Sequence, residues 1–353
     1  MNKNEFLDKL SAELKKRLGD ASADELLVDF HEHFNEALKD GKSEDEICGM
    51  LGDPADIAAE YCEDMEIGAA PPDAGIYINL THISLLCEPW DENTFDVEVM
   101  RNNRVAENET IQITQTQNSL QVVQSRDYDF FGFLFHMFSF RESVRVRIPK
   151  RYQGDMTVKM TSGSARIYGV AITGDLNCDV TSGSIHMQNV SAKNQLAVSS
   201  RSGSIHLDGC AGELSVECSS GSVRVKSHSG NVVRASATSG SVRVEAGRIT
   251  KNCTIESKSG SISAQFDSLE ADLNLSCRSG SVKFIIHDLK GNITGKASSG
   301  SVVGMLPRDT RAVFMLQSSG VRNKFPNAVM PDSSVPVVNL TSRSGRVSIK
   351  EIV

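Results

Sequence analysis

The sequence predicts a mostly β chain: a β-solenoid of about ten 20-residue coils, with a small N-terminal α-helical domain ahead of it. Three observations carry that prediction. A Ser-Gly pair recurs at a near-constant interval, apolar residues hold fixed offsets from each glycine, and the first 68 residues follow helix spacing instead.

The glycines of the repeated pair are Gly163, Gly183, Gly203, Gly221, Gly240, Gly260, Gly280, Gly300, Gly320 and Gly345, spaced 20, 20, 18, 19, 20, 20, 20, 20 and 25 residues apart. The first eight copies continue as Ser and then a small or β-branched residue; in the last two, Val321 and Arg346 replace that serine. Seven residues before the glycine lies an apolar column running from Met156, Leu176 and Leu196 through Val233 and Leu273 to Val313 and Val338. Five before it, Val158, Cys178, Val198, Ile255, Leu275, Met315 and Leu340 belong to a second column, and four after it Ile167, Met187, Leu207, Val225, Val244, Ala264 and Phe284 form a third. Polar residues alternate with these, which is the period of a strand with one buried face. Each repeat therefore reads as strand, Ser-Gly-Ser corner, strand and a second turn often marked by Gly-Asp, Gly-Glu or Gly-Asn. One such unit cannot bury its own apolar face, whereas ten stacked at the inter-strand spacing enclose an interior roughly 45 to 50 Å long. Glycine suits the corner because positive φ costs it no Cβ clash, so Gly163 to Gly300 are read as structural corners. A sandwich of stacked hairpins is the competing architecture; the regular period favours the solenoid.

Residues 1–68 read as an acidic helical domain. Phe6, Leu7, Leu10, Leu14 and Leu18 keep helix spacing, and Ser22 with Glu25 resembles a capping box ahead of Leu26 to Leu38, with Gly41 as the stop. Ser43 with Glu46 opens a short helix holding Ile47, Met50 and Leu51, and Asp53-Pro54 starts a last one. Residues 69–75, with Pro71 and Pro72, read as a linker. Residues 76–150 read as a β-rich cap, with strands at Ile76 to Leu86, Phe95 to Met100, Ile111 to Thr116 and Leu120 to Gln124, and residues 151–353 as the solenoid proper.

Composition narrows the function. A chain that is 39% hydrophobic and 23% charged is ordinary for a soluble globular protein and too apolar for wholesale disorder. No run of 18 apolar residues occurs and the first residues lead into a charged helix, so a cytoplasmic location, or one peripheral to the membrane, is expected. Charge is polarised. Residues 1–70 carry 7 basic and 19 acidic side chains, whereas residues 150–353 carry 24 and 15. Five of the eight cysteines, Cys178, Cys210, Cys218, Cys253 and Cys277, stand on apolar columns with no C-x-x-C pair, so they read as buried small side chains in a reduced compartment.

The segment His33-Phe34, Gly41, Ser43, Glu46-Ile47, Leu51-Gly52-Asp53-Pro54 and Ile57-Ala58 resembles the HAAS signalling domain of bacterial proteins, often encoded beside PadR-type regulators. The Ser-Gly repeats, with Ser143 to Lys150 before them, resemble the putative-adhesin β-strand-repeat family over residues 77–353. That resemblance implies surface binding and no agreed enzymatic activity. Many relatives of this two-part type carry a membrane helix between the modules, and this sequence has none there.

Two surface features stand out. Three residues after the glycine come Arg166, His186, His206, Arg224, Arg243, Ser263 and Lys283, a cationic row with one group per coil, and Arg201, Lys258, Arg278 and Arg343 add charge two residues before it. Such a row suits an anionic polymer or simply keeps the sheet soluble; without interleaved aromatics it does not suit specific nucleic acid. His186 and His206 are expected near 5 Å apart, without a third converging ligand. The second feature is Phe-rich: Phe131, Phe133 and Phe135 sit among six phenylalanines in eleven residues, read either as a plug on the first coil or as a membrane-dipping or oligomerisation loop. His31 and His33 are i, i+2 on a helix and make a poor chelate. No phosphate-cradling, nucleophile-elbow, zinc-protease or calcium-solenoid motif is present, so neither cofactor nor metal is expected. The expectation is a non-enzymatic binding or signalling scaffold, with a protein partner at residues 1–68 and an anionic polymer or membrane surface as a further partner. The alternative is a peripheral membrane or envelope adhesin using the Phe-rich loop and the basic row.

Overall fold

The computed structural model describes residues 2–18, 27, 34, 38, 43–51, 54–55, 58, 75–101, 104–105, 111–124, 142–326 and 335–352. They fall in two compact units, one helical and one of strands.

In the helical unit the helix Lys3–Leu18 starts at a reciprocal cap: Glu5 N–H donates to Asn2 Oδ1 (2.9 Å) and Asn2 N–H to Glu5 Oε2 (3.2 Å). Phe6, Leu7, Leu10 and Leu14 form its buried stripe, and Phe6 meets Phe34 at 6.4 Å between ring centroids. The helix Glu44–Leu51 begins at the expected Ser43/Glu46 box, with Ser43 N–H on Glu46 Oε2 (2.9 Å) and Glu46 N–H on Ser43 Oγ (3.3 Å). Its Ile47 and Cys48 are buried, and its Glu44 Oε2 accepts the backbone N–H of Lys3 (3.0 Å). Ser22, Glu25, His31, His33 and Asp53 lie outside the described residues.

The second unit is a β-solenoid of two sheets, each of 14 strands among the described residues. In every regular coil one strand enters the first sheet, the Ser-Gly-Ser corner turns the chain, and the next strand enters the second. Leu176–Ser182 lies in register between Met156–Ser162 and Ser191–Ser202, and Ile185–Gln188 between Ala165–Tyr168 and Ile205–Asp208, all parallel. The alternation therefore sends the expected columns inward. Leu176, Cys178, Ile185 and Met187 are buried, as are most of their counterparts up and down the stack.

Both corners carry a side-chain ladder. At the glycine corner the serines after Gly203, Gly221, Gly240, Gly260 and Gly280 accept from the next coil: Ser222 N–H on Ser204 Oγ (3.3 Å), Ser241 on Ser222, Ser261 on Ser241, Ser281 on Ser261 and Ser301 on Ser281. At the opposite corner Asp155, Asp175, Asn252, Asp272 and Asn292 do the same with their Oδ1 atoms. Glycine is required at the first corner on two grounds. At Gly260 φ is +147°, and a Cβ would stand 2.1 Å from the carbonyl oxygen of Gly240. Cys218 and Cys277 are buried as expected, but they do more than fill space: their thiols donate to Gly203 O (3.0 Å) and Gly260 O (2.9 Å), as the Ser200, Ser257 and Ser342 hydroxyls do to Gly183, Gly240 and Gly300.

The stack departs from chain order at each end. Ile76–Leu80 and Ser84–Trp90, expected in a terminal cap, form a parallel coil inside the stack. They pair with Met156–Ser162 and Ala165–Tyr168 on one side and with Leu120–Gln124 and Glu142–Pro149 on the other. The true end there is antiparallel, with Asp96–Arg101 on Glu142–Pro149 and Ile111–Gln115 on Leu120–Gln124. At the other end Val337–Ser342 and Arg346–Glu351 stack directly on Ile293–Ser299 and Val302–Leu306, displacing Val313–Gln317 and Gly320–Asn323 to the outside.

That outermost coil is also one residue out of the expected phase: Phe314, not Val313, pairs with Val338 and is buried, while Met315 is 53% exposed. A bulge has the same effect at Val233. Leu214 pairs with Val232 and Ser215 with Arg234, so Val232 takes the core position.

Candidate functional site

The cationic row is assembled by the glycine corner. Because each corner starts the following strand at the same height, the residue three positions on faces out of the second sheet in coil after coil. Arg166 pairs with His186, His186 with His206, His206 with Arg224, Arg224 with Arg243, Arg243 with Ser263 and Ser263 with Lys283. The two imidazoles meet edge to face, 4.9 Å between centroids at 77°. Desolvation first, then His186 and Arg224, hold His206 below its ordinary value. Arg243 is neutralised by Glu245, which accepts from its Nη2 (2.7 Å) and Nε (3.0 Å). Arg166, Arg224 and Lys283 make no ion pair among the described residues. Arg201, Lys258 and Arg278 are exposed, but they end strands of the other sheet and do not extend this row.

A parallel file two residues further on holds Tyr168, Gln188, Asp208 and Lys226, in which Asp208 is the rung neighbour of Lys226. Tyr168 is 37% exposed. Phe131, Phe133 and Phe135 lie outside the described residues.

The sequence reading missed a groove of about 640 Å³ on the solenoid's flank, lined by residues of 227–231, 245–250 and 265–267. Its origin is the change of coil length. The 19-residue repeat, which follows the 18-residue one, contains a register shift between Val225 and His228, where Ser227 turns through φ 51°. The missing residues in the period were the available signal. His228 is buried there, its Nε2 3.1 Å from Gly212 O and its Nδ1 without a hydrogen-bond partner among the described residues, and desolvation lowers its pKa. Several other lining groups are committed to the fold. Asn231 Oδ1 accepts from Thr250 N–H (2.7 Å), Arg248 pairs with Glu270 (2.7 Å), and Glu245 holds Arg243.

Thiol chemistry is suppressed by burial, which raises Cys87, Cys178 and Cys210 and pushes Cys253 up to about 12. No set of three His, Cys, Asp or Glu side chains suited to one metal ion occurs among the described residues. No helix among them is long and apolar enough to cross a membrane.

Comparison with known protein families matches residues 75–325 to the Toastrack DUF4097 family and residues 5–60 to HAAS. No curated protein matches the chain. Among solved structures, a "putative cell adhesion protein" from Clostridium sporogenes is similar at 11% identity and a TM-score of 0.23, over 80% of this chain and 96% of that one. The repeat ladder as far as Phe325 and most of the two capped helices thus fall within the two matched segments, and the chain belongs to the Toastrack DUF4097 family, with a HAAS domain preceding the solenoid.

Proposed function

We propose that this protein is a non-enzymatic binding and signalling scaffold, in which the HAAS domain contacts a protein partner and the solenoid presents an adhesin-like surface. The observation that supports this reading is the repetition of outward positions in register: each coil adds one rung, and the surface is a set of parallel files rather than a single convergent centre. Repeat stacks of this kind serve recognition because an extended ligand meets the same geometry many times over.

Cross-linking mass spectrometry of the full chain in its source cell tests the division of labour. Expected are protein cross-links at Lys9 and Lys16 of the first helix. Partner cross-links confined to the solenoid would remove the head from the proposal. Reproducible turnover of any substrate, abolished by one outward substitution such as Glu245→Gln or Asp267→Asn in the flank groove, would overturn the non-enzymatic part.

A further inference from the structure

The second sheet's outer face carries more than scattered charge. Four consecutive rungs, Arg166, His186, His206 and Arg224, have no carboxylate among them, at the roughly 4.8 Å coil spacing. The run is bounded on both sides. Beyond Arg166 comes Leu86 and then Arg145, which Glu88 and Glu98 hold at 3.7 and 3.2 Å; beyond Arg224 comes Arg243, held by Glu245. In the flanking file the one carboxylate, Asp208, stands beside Lys226, so that pair adds no net charge. Uncompensated positive charge is therefore concentrated on these four coils.

We propose that Arg166, His186, His206 and Arg224 form a proton-gated seat for an extended phosphate polymer lying along the stack. The proposal rests on the reading of the solenoid as a binding surface and names its ligand class. Three features point to phosphate. The rungs form a line, which matches a linear polyanion rather than a single small anion. The face offers Tyr168 as its aromatic group in these coils, too little for the base-stacking platform that single-stranded nucleic acid uses. A divalent cation would have to sit on the His pair with an arginine on each side, which repels it.

The gate follows from the neighbours of the imidazoles. His186 faces Arg166 on one strand and His206 on the other; His206 faces His186 and Arg224, with Asp208 two residues along its own strand and Lys226 diagonal to it. In that company a positive charge on His206 is disfavoured in the free protein, by burial and by His186 and Arg224. A phosphate chain reverses the balance, so binding takes up protons and strengthens as pH falls.

The test is binding of long-chain inorganic polyphosphate to the full chain, followed by fluorescence anisotropy at about pH 5.5 and about pH 7.5. Expected is affinity about tenfold higher at the acid pH, falling steeply with salt. H186Q/H206Q should flatten the pH dependence, and R166Q/R224Q should weaken binding at both pH values. All four side chains point outward, so circular dichroism should be unaltered. Binding by R166Q/R224Q equal to the parent, or a pH profile untouched by H186Q/H206Q, would sink the proposal. Tighter binding of oligothymidylate of equal charge would assign the face to nucleic acid instead, and zinc uptake lost in H186Q/H206Q would make the pair a metal site. Retention of the quadruple variant on isolated cell envelopes, measured in parallel, separates the levels: retention without polyphosphate binding leaves the surface-binding reading standing and removes only the phosphate seat.

Discussion

At the scale of single residues the solenoid depends on the corner glycine and, in several coils, on a buried donor, neither of which an apolar pattern reveals. The corner glycine combines positive φ with a carbonyl from the previous coil inside the space of a Cβ, so Gly260→Ala must move two layers of backbone at once. The expected loss is on the order of 3 kcal/mol, read as a lowered urea midpoint. A change under about 0.5 kcal/mol would mean that the corner relaxes freely. The buried hydroxyl or thiol three residues earlier is the second position. Cys277→Ser keeps a donor for Gly260 O and should stay within about 1 kcal/mol of the parent, while Cys277→Val leaves that carbonyl unpaired and should cost about 1–3 kcal/mol. Equal stability of the two variants would show that the thiol only fills volume. This role was hidden in the sequence because cysteine fits an apolar column as well as it fits a hydrogen-bonded one, and only the pairing of Ser200, Ser257 and Ser342 with the same carbonyl type exposes the shared function.

At the scale of elements, the strands and the Ser43/Glu46 cap were legible because their information is local: a period of two, or a box of four residues. Which coil rests on which was not. The pairing of Ile76–Leu80 with Met156–Ser162 joins segments about 80 residues apart, and periodicity is silent about such contacts. The interval of 25 before Gly345 was the trace left by the inserted last coil, and the shifted phase at Phe314 follows from it, since that coil packs on the chain's own end rather than on Ile293–Ser299. Val337–Ser342 and Arg346–Glu351 lie one layer in, between Ile293–Leu306 and the outermost strands Val313–Gln317 and Gly320–Asn323. Ending the chain after Phe325 should therefore cost two coils for one removed. Hydrogen exchange is expected to show Val313–Gln317 and Gly320–Asn323 unprotected, because their described pairing partners are Val337–Ser342 and Arg346–Glu351. Full protection of those strands in the truncated chain would mean that they dock equally well on Ile293–Leu306.

At the scale of the whole solenoid, stability is a sum of coil and neighbour contributions, so acid should open it in places rather than all at once. The imidazoles decide where. Burial pulls His82 down to about 4 from 6.5, and desolvation lowers His228 as well, whereas residues 229–286 contain no histidine. Both folded-state values lie below the unfolded one, so the unfolded chain binds more protons in the interval between them. The stabilisation is complete above about pH 6.5 and is lost as pH falls toward about 4, amounting to roughly 3 kcal/mol for His82. Hydrogen exchange corrected for its intrinsic pH dependence should thus show protection falling first in Ile76–Trp90 and Val223–Asn231, while Cys253–Leu269 holds. His82→Gln should remove the effect in the first of these and leave the second unchanged. Protection lost first in the histidine-free coils would place acid sensitivity in the carboxylate ladders instead. The same linkage bears on the cationic face, because acid that protonates His206 for a polyanion also works against the coils around it. A phosphate chain bound there would restore stability by supplying the negative charge those rungs lack, so polyphosphate should raise the acid-side midpoint more in the parent than in H186Q/H206Q.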